Sequence, residues 1–100
     1  MTRSDADAVT GAIIDEEFEL TLEQLTYFCA SPKEQITALV EEGVLQPRGS
    51  NRTEWRFSGR ILHRAAKAVR LQRDLDVNAH AVALILDLLD EIESLRTRRP

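Results

Sequence analysis

The stretch from Lys33 to Phe57, KEQITALVEEGVLQPRGSNRTEWRF, leaves the chain few folds to choose from. Ile36, Leu39 and Val40 recur at helical spacing and make one buried stripe. Gly43 follows Glu41 and Glu42, where a left-handed residue would end the helix. Val44 and Leu45 return to the core, Pro47 fixes the exit, and Gly49, Ser50 and Asn51 supply turn chemistry. Trp55 and Phe57 alternate with Glu54 and Arg56, the pattern of a half-buried strand. A short helix running into a small hairpin is the end of a winged helix-turn-helix domain that meets nucleic acid.

The flanking segments extend this reading. Met1 to Thr10 is polar and acidic and is expected to be a flexible tail, residues 1–10. Ala12 to Ile14, and Phe18 with Leu20 alternating against Glu17 and Glu19, predict one or two strands that pair with the later hairpin. Thr21 and Gln24 form a capping box for a first helix carrying Leu22, Leu25 and Phe28. Ser31 is expected to cap the second helix, with Pro32 as its first residue, where a missing N–H costs nothing. Two short helices joined this tightly make a helix-turn-helix. The winged unit thus covers residues 11–58. A helical pair follows over 59–100, the whole forming one domain.

Within that pair, Ser58 caps a helix to about Leu75. Ile61, Leu62, Ala65, Val69 and Leu75 face inward, and Arg60, Arg64, Lys67, Arg70, Arg73 and Asp74 face water. Asp76 or Asn78 separates it from the last helix. That helix is apolar on too many sides for one contact. Val82, Ile85, Leu89 and Ile92 form a three-four seam suited to dimerisation, and Ala81, Leu84, Leu88 and Leu95 form a second stripe. One stripe can pack on the domain; the other needs a partner.

Charge argues against a nucleic-acid reader. The net charge is −4, and the acids crowd the N-terminus: residues 1–30 carry seven acids and one base, whereas residues 59–75 carry five bases and one acid. A DNA-facing helix would use Lys33 and Gln35, with Arg48, Arg52 and Arg56 in the wing, but Glu34, Glu41 and Glu42 would oppose a polyanion. The basic third helix reads as a solvated face, or as the dock of a neighbouring acidic tail. His63 and His80 lack the spacing of a metal pair, and lone Cys29 reads as a small buried hydrophobe in a reducing cytoplasm. No nucleophile–base pair, phosphate loop or membrane-spanning run is present, so neither an enzyme, a cofactor nor a membrane protein is expected. Asp87, Asp90, Glu91 and Glu93 line the last helix beside Leu88 and Leu89. Such a face serves either solubility or a basic partner helix.

The order FELTLEQLTYFC, ITALVEEGVLQP, TEWRF, RAAKAVRLQRDL and ALILDLLDEIESL, across roughly residues 17–95, resembles the chaperone modulator CbpM family. The resemblance implies a shortened, mainly α, MerR-like winged helix-turn-helix followed by two longer helices used in dimerisation. It further implies a cytoplasmic homodimer that binds the J-domain of a CbpA/DnaJ-like co-chaperone. Such a protein would inhibit the co-chaperone's work with Hsp70 (DnaK) and its DNA binding. On that reading Asp87, Leu88, Asp90 and Glu91 are the partner-binding residues. Where MerR-type regulators carry an Arg-Tyr-Tyr-like run, this chain has Thr37, Ala38 and Leu39, so the DNA-facing chemistry is missing. The alternative function is a MerR-type DNA-binding transcription regulator.

Overall fold

The computed structural model describes residues 18–98, so the expected tail and the expected strand at Ala12 to Ile14 lie outside the described residues. Strand β1 (Glu19–Leu20) leads into helix α1 (Leu22–Cys29). The capping box forms as the sequence predicts: Thr21 Oγ1 accepts from the Gln24 N–H at 3.1 Å, and Gln24 Oε1 accepts from the Thr21 N–H at 2.9 Å. Such a cap contributes about 1 kcal/mol. Ala30, at φ 52°, ends α1, and the Ser31 N–H reaches the Thr26 carbonyl.

Helix α2 (Lys33–Glu41) begins one residue later than expected. Pro32 itself takes the cap position, at φ −60° and ψ 148°, because its ring suits an extended residue as well as a helical one. The Ser31 hydroxyl is therefore not the cap and donates instead to Gln35 Oε1 at 2.7 Å. At the other end Gly43 is left-handed (φ 78°) as predicted. The Gly43 N–H bonds the Val40 carbonyl and the Val44 N–H bonds the Leu39 carbonyl at 2.9 Å, a Schellman arrangement that turns Val44 and Leu45 into the core.

The wing is smaller than a hairpin. Arg48 and Arg56 exchange one reciprocal pair of backbone hydrogen bonds, at 2.9 and 3.0 Å. Between them the chain spends Arg52–Glu54 on a 3-10 turn capped by Asn51, so the two arms meet at one residue pair only. Strand β2 (Phe57–Ser58) pairs antiparallel with β1, placing Glu19 opposite Ser58 and Leu20 opposite Phe57. Leu20 and Phe57 are both fully buried, and Trp55 meets Phe57 edge-on at 6.1 Å.

Ser58 Oγ accepts from the Ile61 N–H and starts α3 (Gly59–Leu75), whose Leu62, Ala65, Ala68 and Val69 are buried. Leu75 is exposed, contrary to expectation, because the helix ends there and left-handed Asp76 turns the chain away. Asn78 Oδ1 accepts from the Ala81 N–H and caps α4 (Ala79–Thr97). One core joins these parts: Leu20, Leu25, Ile36, Leu39, Leu45, Phe57, Val82 and Leu86 are its largest fully enclosed side chains. Each such burial contributes roughly 1.5–3 kcal/mol. Among the described residues no helix is long and apolar enough to cross a membrane.

Candidate protein-docking face

Helix α4 seats its first half and exposes its second. Ala79, Val82 and Leu86 form the inner line, and every residue from Asp87 to Arg98 is exposed. A helix rises about 1.5 Å per residue, so roughly three turns stand clear of the core. On that overhang Leu88 is 64% exposed, and Leu84, Leu89, Ile92 and Leu95 are exposed with it. Lone exposed leucines are ordinary, but five on one helix face make a contiguous apolar patch.

The expected seams divide differently. Val82 is 0% exposed and belongs to the domain core, so it is not available to a second chain. Ile85 is half-buried, while Leu89 and Ile92 are open. The reason is geometric. At about 100° per residue a three-four run drifts around the cylinder, so this one starts inside and ends outside. Leu86, which neither predicted stripe contained, is the residue that anchors α4.

The acids also divide. Asp87 and Glu91 are one turn apart and share the edge of the Leu84–Leu88 line. Asp90 lies about 100° further round, toward α3. Its Oδ2 is 3.7 Å from Arg64 Nη1. Asp90 therefore serves an internal bridge, where the sequence had placed it beside Glu91 on the partner's side. Arg64 is likewise not a solvated residue. Its Nε donates to the Val44 carbonyl at 2.7 Å, tying α3 to the turn after α2. Nothing local in sequence marks it, because its acceptor is twenty residues away. A second link, His80 Nδ1 to Glu42 Oε1 at 3.1 Å, joins α4 to the end of α2.

The residues of the DNA-reading alternative are spent or opposed. Gln35 Nε2 donates to Gln72 Oε1 at 2.7 Å while its oxygen accepts from Ser31, so its amide is held between helices. Lys33 is 3.7 Å from Glu23. Lys33 and Arg52 do meet around one groove, but Glu34 and Glu41 line it too. Arg48 pairs with Glu19 at 3.1 Å, and Arg56 donates to the Trp55 carbonyl at 2.8 Å. Thr37 is buried, and its hydroxyl has no hydrogen-bond partner among the described residues. Burial pushes the Cys29 thiol up to about 11, so it is protonated at neutral pH and inert.

Residues 20–99 match the family described as MerR HTH family regulatory protein. A protein named Chaperone modulatory protein CbpM from Coxiella burnetii (strain Dugway 5J108-111) is 37% identical over 90 residues, covering 90% of this chain and 85% of its own. One of the same name from Pseudomonas entomophila (strain L48) is 36% identical over 62 residues, or 62% of this chain and 61% of that one. Its counterpart from Pseudomonas putida (strain W619) is 34% identical over an equal span.

Proposed function

Because this chain belongs to the CbpM family of chaperone modulatory proteins, within the MerR-type helix-turn-helix regulators, we propose that it binds the J-domain of a CbpA/DnaJ-like co-chaperone. It acts by occupancy and not by catalysis, in the cytoplasm where Hsp70 works. The observation that carries this reading is the overhang of α4: Leu84, Leu88 and Leu95 exposed in line, with Asp87 and Glu91 along one edge. Apolar area bordered by one sign of charge fits a basic amphipathic helix. A J-domain helix held there is withheld from Hsp70 (DnaK), and the co-chaperone's DNA binding falls with it. The carboxylates orient the approach and raise the on-rate, and leucine burial supplies most of the affinity.

The opposite edge of the overhang, Ile85, Leu89 and Ile92, suits a second copy, which makes the working unit a homodimer. Sedimentation at tens of micromolar, where a seam of micromolar affinity or better holds (roughly −8 kcal/mol), should then show the dimer, and a pure monomer would remove it. The direct test of the main reading is titration calorimetry with the purified J-domain. Reversing Asp87→Lys and Glu91→Lys together should weaken binding at least about tenfold with the fold intact, as truncating interfacial charges does. Unchanged affinity would take this edge out of the interface. Asp90→Lys is a poorer probe, because Asp90 also faces Arg64.

A further inference from the structure

The charges left unexplained by the docking face lie on α3. A groove of about 570 Å³ runs along its outer side, lined by Arg60, His63, Arg64, Ala66, Lys67 and Arg70, with no acid among them. Arg60, His63, Lys67 and Arg70 are exposed and recur at three-four spacing, so they form one stripe. The one acid of α3, Asp74, comes a turn later. The overhang of α4 is the matching surface. The stripe rises about 15 Å from Arg60 to Arg70, and the overhang about 17 Å from Asp87 to Arg98. Leu84, Leu88 and Leu95 beside Asp87 and Glu91 fit a basic amphipathic helix, and α3 is one: leucine, alanine and valine inside, arginine and lysine outside. One chain does not join the two surfaces. Asp90 reaches Arg64, but among the described residues Lys67, Arg70, Asp87 and Glu91 have no ion-pair partner.

We propose that a second copy of this chain docks its α3 stripe on the α4 overhang, setting Lys67 and Arg70 against Asp87 and Glu91. The aliphatic stems of the lysine and arginines lie over the exposed leucines while their charged heads meet the carboxylates. Each chain carries both surfaces, so the contact made twice about a two-fold closes at two copies. It uses the edge of the overhang that bears Leu88 and Glu91, and leaves Ile85, Leu89 and Ile92 on the other edge. Only its consequence rests on the J-domain reading. The second copy occupies the edge offered to the co-chaperone, so self-association and J-domain binding exclude each other.

Two measurements on the full-length chain test it, and neither contains a J-domain, so a J-domain that fails to bind leaves their result standing. In the first, an isotope-free chain carrying a nitroxide at Ser94→Cys, in a Cys29→Ala background, is mixed with isotopically labelled chain. The labelled amides of Lys67 and Arg70 should broaden, and about 0.5 M salt should relieve the broadening by screening exposed pairs. Lys67→Glu with Arg70→Glu in the labelled chain should remove it, and Asp87→Lys with Glu91→Lys in the nitroxide chain should then restore it. No broadening on α3 overturns the proposal, as does broadening that survives the first reversal. In the second, sedimentation reads the affinity with Cys29 in place. Either double reversal alone should weaken self-association at least about tenfold, since like charges then face each other, and an equimolar mixture of the two should regain it. Equal dissociation constants for natural and reversed chains would refute the contact. Reversal of the stripe that abolishes duplex DNA binding yet leaves self-association intact would assign the stripe to a polyanion instead.

Discussion

Replacing Arg64 by methionine removes a charged donor but keeps the length of an aliphatic side chain. In the structure its Nε bonds the Val44 carbonyl at 2.7 Å, and Val44 is only 3% exposed. Losing a hydrogen bond from a charged group at such a site costs about 1.5–3 kcal/mol, since the carbonyl is left unpaired. The second contact, to Asp90 at 3.7 Å, involves a carboxylate that is 63% exposed. Solvent screens such a pair, and it contributes about 0–1 kcal/mol. Arg64→Met should therefore destabilise by about 2 kcal/mol, and Asp90→Asn by under about 0.5 kcal/mol. For a domain of this size the first corresponds to a fall in Tm of roughly 8–16 °C and the second to a few degrees at most. Urea titrations followed by circular dichroism give both values, with unchanged slopes showing that the transition stays two-state. The reasoning fails if the two variants cost the same, because the carbonyl would then not be the group that holds Arg64.

Three further outcomes follow from local geometry. Gly49→Ala should cost more than Gly43→Ala in thermal melts. Both glycines have positive φ, but only at Gly49 would a Cβ lie 2.5 Å from the Glu54 carbonyl oxygen. Thr37→Val should raise stability by roughly 1 kcal/mol, because it deletes a buried hydroxyl that has no partner among the described residues, at nearly constant shape. Cys29 keeps its proton more tightly when folded, its thiol rising from 9.0 to about 11. The stability this contributes is therefore complete below pH 9 and lost between about 9 and 11, and native-state alkylation at pH 8 should be slow until denaturant is added.

The parts of the fold written within a few residues were legible. Thr21 with Gln24, Gly43 after Glu42, and Asp76 with Asn78 each stop or start a helix by their own chemistry, so no distant contact could overrule them. The alternation of Trp55 and Phe57 was half right: Phe57 opens β2, whereas Trp55 closes the preceding 3-10 turn and lies outside the strand. What escaped was set by tertiary choice. Helix α4 is apolar nearly all round, so periodicity cannot say which line faces the core, and the anchoring Leu86 went unnoticed while Val82 was assigned to a partner. Arg64 and Gln35 look like surface residues until the Val44 carbonyl and Gln72 arrive from far along the chain. The helix bearing Asp87 and Glu91 was visible in sequence, but the separation of Asp90 from them was not, because it depends on where α3 lies.

The central claim is that the overhanging half of α4 is the surface that takes the co-chaperone. Titrating the isotopically labelled chain with unlabelled J-domain and following backbone amide shifts tests it residue by residue. The account predicts that the largest changes run from Leu84 to Leu95, with Asp87, Leu88 and Glu91 among them. Shifts gathered instead on Lys33, Glu34 and Arg52 of α2 and the wing, with α4 unmoved, would contradict it.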